Sequence, residues 1–168
     1  MTKNLKKNYI FNVTYQVLVL IIPLITMPYL ARMLQPEAVG IFSYSESIVT
    51  YFIILAVFGT SVYAQREIGK VQDSLEERSK VFWEVQIVRT ITSLIAIAVY
   101  IGYVCIIKTN FVVCMILALE IVNVAVDIMW FYQGLEDFRM SVICGLIGKI
   151  LNLVFVFLFV KVPDDLWV

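Results

Sequence analysis

Six ionisable residues stand inside long apolar runs of this sequence: Glu46, Glu84, Arg89, Glu120, Asp127 and Lys149. A charge set in hydrocarbon costs about 2.5–3.5 kcal/mol on insertion scales, so each such residue calls for a partner, for water or for a task. The chemistry on offer is recognition and charge compensation. Arg89 and Lys149 need a counter-charge, water or the nearby surface. Glu120 and Asp127 are carboxylates whose charged form burial disfavours. Asn123 and Asn152 bring hydrogen-bonding amides to the same depth.

Other chemistry is poorly supported. Histidine is absent, which removes the commonest general base and metal ligand. Cys105, Cys114 and Cys144 form no C-x-x-C pair and lie in or beside apolar runs, where they read as small packing residues. No P-loop pattern occurs. Asp73, Glu76 and Glu77 are better explained as helix-start residues than as a paired-acid site. We therefore expect no catalytic residue, no metal, no cofactor and no enzyme. Lys and Arg total 13 and Asp and Glu total 13, a balance that gives no reason to expect nucleic acid.

The elements that must position these groups follow from hydropathy. Of 168 residues, 61% are hydrophobic and 15% charged, and the apolar excess is gathered into runs. A span needs about 20 apolar residues to cross roughly 30 Å of hydrocarbon. Spans are expected near Tyr9–Ala31, Ile41–Ala64, Phe82–Ile107, Phe111–Gln133 and Val142–Val160. No backbone group can go unpaired in lipid, so each should be a helix, giving an all-α polytopic membrane bundle. Pro36 with Glu37 reads as a helix start, and Ser74-Leu75-Glu76-Glu77 as a capping box. Pro23 and Pro28 interrupt the first run, and are candidate hinges or a static kink. That run is long and lacks a small-x-small site, so it reads as a retained span and not as a cleaved signal.

Basic residues set the orientation. Lys3, Lys6, Lys7, Arg66, Lys70, Arg78, Lys80 and Arg139 fall on one set of connections, and only Arg32, Lys108 and Lys161 on the other, so the N-terminus should be cytoplasmic. Arg89, Asp127 and Lys149 then share one level, roughly 10 Å below the inner surface at 1.5 Å per residue. Glu120 sits near the midplane. Glu120, Asn123 and Asp127 fall at i, i+3, i+7, as do Gly145, Lys149 and Asn152 at i, i+4, i+7 and Asn12, Gln16 and Pro23 on the first span. These stripes suggest a hydrated interior. The alternatives stay open: Arg89 and Lys149 can snorkel or only fix packing with Asp127, Glu46 and Glu84 can be solvated at interfaces, and the amides can be interhelical glue.

Ile22-Pro23-Leu24-Ile25-Thr26-Met27-Pro28-Tyr29-Leu30-Ala31-Arg32-Met33-Leu34-Gln35-Pro36-Glu37-Ala38-Val39-Gly40 resembles the first-loop signature of bacterial oligosaccharide flippases. These are the Wzx-type polysaccharide transporters of the multidrug/oligosaccharidyl-lipid/polysaccharide superfamily. Ser43-Tyr44, Tyr51-Phe52, Gly59-Thr60, Gln65-Arg66-Glu67-Ile68 and Trp130-Phe131-Tyr132-Gln133-Gly134-Leu135-Glu136-Asp137-Phe138 continue the likeness. Gln35 departs from it, standing where the family usually has glycine. The resemblance implies about a dozen to fourteen spans in two bundles, of which residues 1–168 would be a partial N-terminal one. It implies a flippase that moves an undecaprenyl-diphosphate-linked glycan across the bacterial cytoplasmic membrane for capsule, exopolysaccharide or O-antigen assembly, with other polysaccharide assembly proteins as candidate partners. On that resemblance Arg89 would pair bidentately with phosphate oxygens and Lys149 would act as a mobile point charge. Asn123 and Asn152 would meet sugar hydroxyls, and Glu120 or Asp127 would carry a coupling proton or hold the basic pair. A small-molecule or drug exporter of the same superfamily and a truncated remnant are the competing expectations.

Overall fold

The computed structural model describes residues 2–161, with the side chains of all of these except residues 2–12, 14, 15 and 138, so the side chain of Asn12 lies outside the described residues. Seven helices occur in the order α1 (Thr2–Met33), α2 (Gln35–Val57), α3 (Thr60–Lys70), α4 (Leu75–Ile107), α5 (Phe111–Val126), α6 (Met129–Gly134) and α7 (Phe138–Phe159), and no strand is found among the described residues. Among the described residues, five helical stretches are long and apolar enough to cross a bilayer. The outer surface is unlike that of a water-soluble domain. Leu24, Ile54, Leu94, Ile106 and Leu119 are exposed, while Arg89, Ser45 and Ser93 are buried beside the apolar core. Large aliphatic side chains on the outside with a few polar ones within suit a hydrocarbon solvent.

The chain forms two compact units, one from residues 2–40 with 137–161, the other from Ile41–Glu136. In the first, α1 packs on α7. The Tyr29 hydroxyl donates to the carbonyl of Val160 at 2.8 Å, and its ring lies 4.4 Å from that of Phe157. Both Pro23 and Pro28 are exposed and lie inside an uninterrupted α1. Nearby, the Thr26 hydroxyl donates to the Ile22 carbonyl at 3.1 Å. Gln35, just before Pro36, has φ of 65°, in the left-handed region where a Cβ is penalised. Gln35→Gly is therefore expected to raise stability by about 0.5–1 kcal/mol, the relieved strain being partly offset by a more flexible unfolded chain. Thermal unfolding in detergent checks this.

In the second unit the core is Val49 and Ala56 of α2, Ala96, Tyr100 and Val104 of α4, and Cys114, Leu117 and Ile121 of α5. Tyr100 donates its hydroxyl to the Cys114 carbonyl at 2.7 Å and takes Phe52 edge-on at 5.1 Å. The α4 helix starts at the expected cap, with the Glu77 N–H donating to the Ser74 hydroxyl at 3.3 Å. It ends in a tight turn in which Lys108 and Asn110 have φ of 55° and 51°.

Two of the expected spans are not single helices. The run Ile41–Ala64 is cut after Val57, and the run Phe111–Gln133 after Val126. At the first cut Phe58 and Gly59 have φ of 42° and 71°. Glycine tolerates that region freely, and the phenylalanine bears the penalty, about 1–2 kcal/mol. At the second, Asp127 keeps a helical φ of −66° and its N–H donates to the Asn123 carbonyl at 2.9 Å, while its ψ of 120° turns the chain out of the helix after it.

Candidate functional site

Breaking a helix at membrane depth frees carbonyls that lipid cannot satisfy. The α4 helix runs past both cuts and supplies the missing donors. Gln86, Arg89, Thr92 and Ser93 fall at i, i+3, i+6 and i+7, a polar stripe on one side of that helix. The Thr92 hydroxyl donates to the Ala56 carbonyl at 2.7 Å, serving the end of α2. The Gln86 amide donates to the Ala125 carbonyl, serving the end of α5.

Arg89 joins the two cuts. One terminal nitrogen donates to the Ser61 hydroxyl at 3.1 Å, in the first turn of α3. The other donates to the Val124 carbonyl at 3.1 Å and reaches an Asp127 carboxylate oxygen at 3.4 Å. The other carboxylate oxygen of Asp127 accepts from the Met129 N–H at 2.9 Å, an Asx-type turn that starts α6. The Arg89 side chain is 1% exposed and that of Asp127 37% exposed, so the pair is a buried cation with a partly open counter-ion. The side chain of Arg89 is thus enclosed by protein and committed to protein groups. Its Nε, the Ser93 hydroxyl and the Gln86 carbonyl oxygen are buried without a hydrogen-bond partner.

Beyond the cuts, α3 and α6 pack on each other and on the start of α4. Ala64, Ile68, Val85 and Trp130 are buried together, with Phe82 stacked on Trp130 at 5.6 Å and Phe131 edge-on to Phe82 at 5.3 Å. The Gln65 amide donates to Gln133 at 2.7 Å, and Gln72 to the Gly134 carbonyl at 3.0 Å. A Cβ on Gly134 would stand 2.8 Å from Ile68 Cβ and 3.0 Å from the Gln65 carbonyl oxygen. The segments Gln65–Ile68 and Trp130–Leu135, far apart in sequence, thus meet as one packed pair. Gly134→Ala is expected to destabilise the second unit by about 1–3 kcal/mol through overpacking, and differential scanning fluorimetry checks it.

The remaining sequence-predicted residues are distributed as follows. Glu120 and Asn123 lie on an exposed face of α5, with Glu46 of α2 within Coulombic reach of Glu120. Lys149 is half-buried and Asn152 exposed on α7, in the other unit. Arg89 and Asp127 are the sequence-predicted pair brought into contact within one unit. Sequence reasoning missed Ser61, Gln86, Thr92 and Ser93. The signal for three of them was the stripe flanking Arg89. Among the described residues no group of three or more His, Cys, Asp or Glu is placed to hold a metal ion.

Comparison with known proteins agrees with this architecture. A family model described as "Polysaccharide biosynthesis protein" matches residues 5–168. An Escherichia coli (strain K12) protein named "Putative O-antigen transporter" is 26% identical over 166 residues, which cover 97% of this chain and 40% of that protein. A Shigella dysenteriae protein of the same name is 25% identical over 146 residues, 86% of this chain and 37% of its own length. The chain thus spans about two fifths of the length of these curated relatives. No solved structure matches. The match along nearly the whole sequence, together with five helical stretches fit to cross a bilayer, makes this chain a multi-pass membrane member of the polysaccharide biosynthesis protein family.

Proposed function

We propose that this chain works in a transporter that moves a lipid-linked oligosaccharide from the inner to the outer leaflet of the bacterial cytoplasmic membrane. The observation that carries the reading is the family match over residues 5–168, with relatives named for O-antigen transport. The physical problem such a protein solves is passing a diphosphate and its sugars through hydrocarbon, which needs cations and hydrogen-bonding groups at membrane depth. In this reading Lys149 meets the diphosphate of an undecaprenyl carrier as a point charge, and Asn123 and Asn152 meet sugar hydroxyls. Glu120 and Asp127 compensate charge or carry a coupling proton, and Pro23 and Pro28 let α1 bend during transport. The N-terminus is cytoplasmic, by the bias of basic residues.

The test is export in a strain that lacks its own flippase and carries the full-length gene. Export should be restored, and Lys149→Ala should slow it at least tenfold, the equivalent of one charge-assisted contact of about 1.5–3 kcal/mol. Lipid-linked glycan should then accumulate on the inner leaflet. Failure to restore export defeats the transport reading, whereas normal export by Lys149→Ala defeats only the assignment of that lysine.

A further inference from the structure

We infer that Arg89 is a positioning residue: it sets the geometry of the α3–α6 pair by tying both helix breaks to α4, and it does not touch the carried molecule. Three observations carry this. The first is enclosure, since a side chain 1% exposed offers no surface to a phosphate. The second is commitment. The two terminal nitrogens of Arg89 reach the first turn of α3 through Ser61, the last turn of α5 through the Val124 carbonyl, and the residue that starts α6 through Asp127. The third is placement. All three groups Arg89 joins sit at or within four residues of a break, Ser61 after Phe58-Gly59, Val124 before Asp127-Ile128, and Asp127 at the second break itself. The planar fork of a guanidinium can serve acceptors on two segments at once, and an ammonium cannot reproduce that geometry. The neighbours Thr92 and Gln86 each serve one break, whereas Arg89 alone of the stripe is seen to serve both.

The inference rests on the transport reading for its export arm only; its structural arm stands without it. The experiment uses the full-length protein with native cysteines replaced and two reporter cysteine pairs, each joined by a short bifunctional thiol reagent. Gln65→Cys with Gln133→Cys reports the α3–α6 pair, where the native side chains meet at 2.7 Å. Phe52→Cys with Tyr103→Cys reports the α2–α4 core, where the rings lie 5.9 Å apart. Arg89→Met should lower α3–α6 cross-linking at least fivefold, leave α2–α4 cross-linking unchanged and abolish export. Arg89→Lys should not rescue either, although it keeps the charge. Closing the Gln65–Gln133 cross-link in Arg89→Met should recover part of the export. Arg89→Met that loses export with both cross-links at wild-type rates overturns the inference and returns Arg89 to the carried molecule, and so does Arg89→Met with normal export. Should Arg89→Met lose both cross-links through general unfolding, Ser61→Ala decides. It removes one acceptor only, and should lower α3–α6 cross-linking selectively; no change there overturns the inference.

Discussion

Asp127→Ala is expected to destabilise the Ile41–Glu136 unit by about 3 kcal/mol. Removing one partner of a buried ion pair costs about 3–5 kcal/mol, because the other charge stays behind uncompensated. Here the charge left behind is Arg89, at 1% exposure, while Asp127 is 37% exposed, so water can take up part of the loss and the lower end of the range applies. Two effects can be separated. Asp127→Asn keeps an oxygen for the Met129 N–H, which the native carboxylate receives at 2.9 Å, and removes only the charge. It should therefore be milder than Asp127→Ala by about 1 kcal/mol, a typical helix-start contribution. The double variant Arg89→Met, Asp127→Ala should recover part of the stability lost by Asp127→Ala alone, with a coupling of about 1–3 kcal/mol, since contacting partners are not additive. Denaturant or thermal unfolding in micelles measures all three. A loss under about 1 kcal/mol for Asp127→Ala would show that Arg89 is held well enough by Ser61 and Val124 without its counter-ion.

Trp130→Ala should cost at least as much, about 3–5 kcal/mol, by a different route. Trp130 is fully buried between α3 and the start of α4, stacked on Phe82. Truncation leaves a void lined by Ile68, Val85 and Phe82, and in or near a bilayer the loss is of packing contacts, since hydrocarbon competes for apolar surface. Trp130→Phe should be much milder, about 1 kcal/mol. It keeps most of the ring volume and removes a buried indole N–H that has no partner among the described residues. Equal losses from the two substitutions would contradict this packing account.

How far the fold can be read without coordinates is clear from the two broken spans. Hydropathy counts apolar residues along a run, and so it finds the runs that became α1, α2, α4, α5 and α7. It carries little information on backbone continuity. Gly59-Thr60 and Asp127 are turn-forming residues, but they sit inside runs that are apolar on average, and a hydropathy average outweighs their turn chemistry. Pro23 and Pro28 are candidate hinges by their own chemistry, and both lie inside a continuous α1. Arg89 with Asp127 was legible as a depth match on antiparallel helices. That Arg89 would also bind Ser61 and a carbonyl of α5 was not, because the carbonyl is freed only by the second break and Ser61 lies just past the first. The Gln65–Ile68 and Trp130–Phe138 segments stand out individually. That the first meets Trp130–Leu135 across Gly134 depends on tertiary packing that no local pattern encodes.

The most direct measurement of the account is leaflet exchange with purified components. The full-length gene product, reconstituted into vesicles with an undecaprenyl-diphosphate-linked oligosaccharide placed in one leaflet, should make that lipid accessible to a glycosidase on the opposite side. Exchange should exceed that in protein-free vesicles, and Asp127→Ala should slow it. Vesicles in which the glycan stays where it was placed, with the protein folded and inserted, would contradict the proposed function.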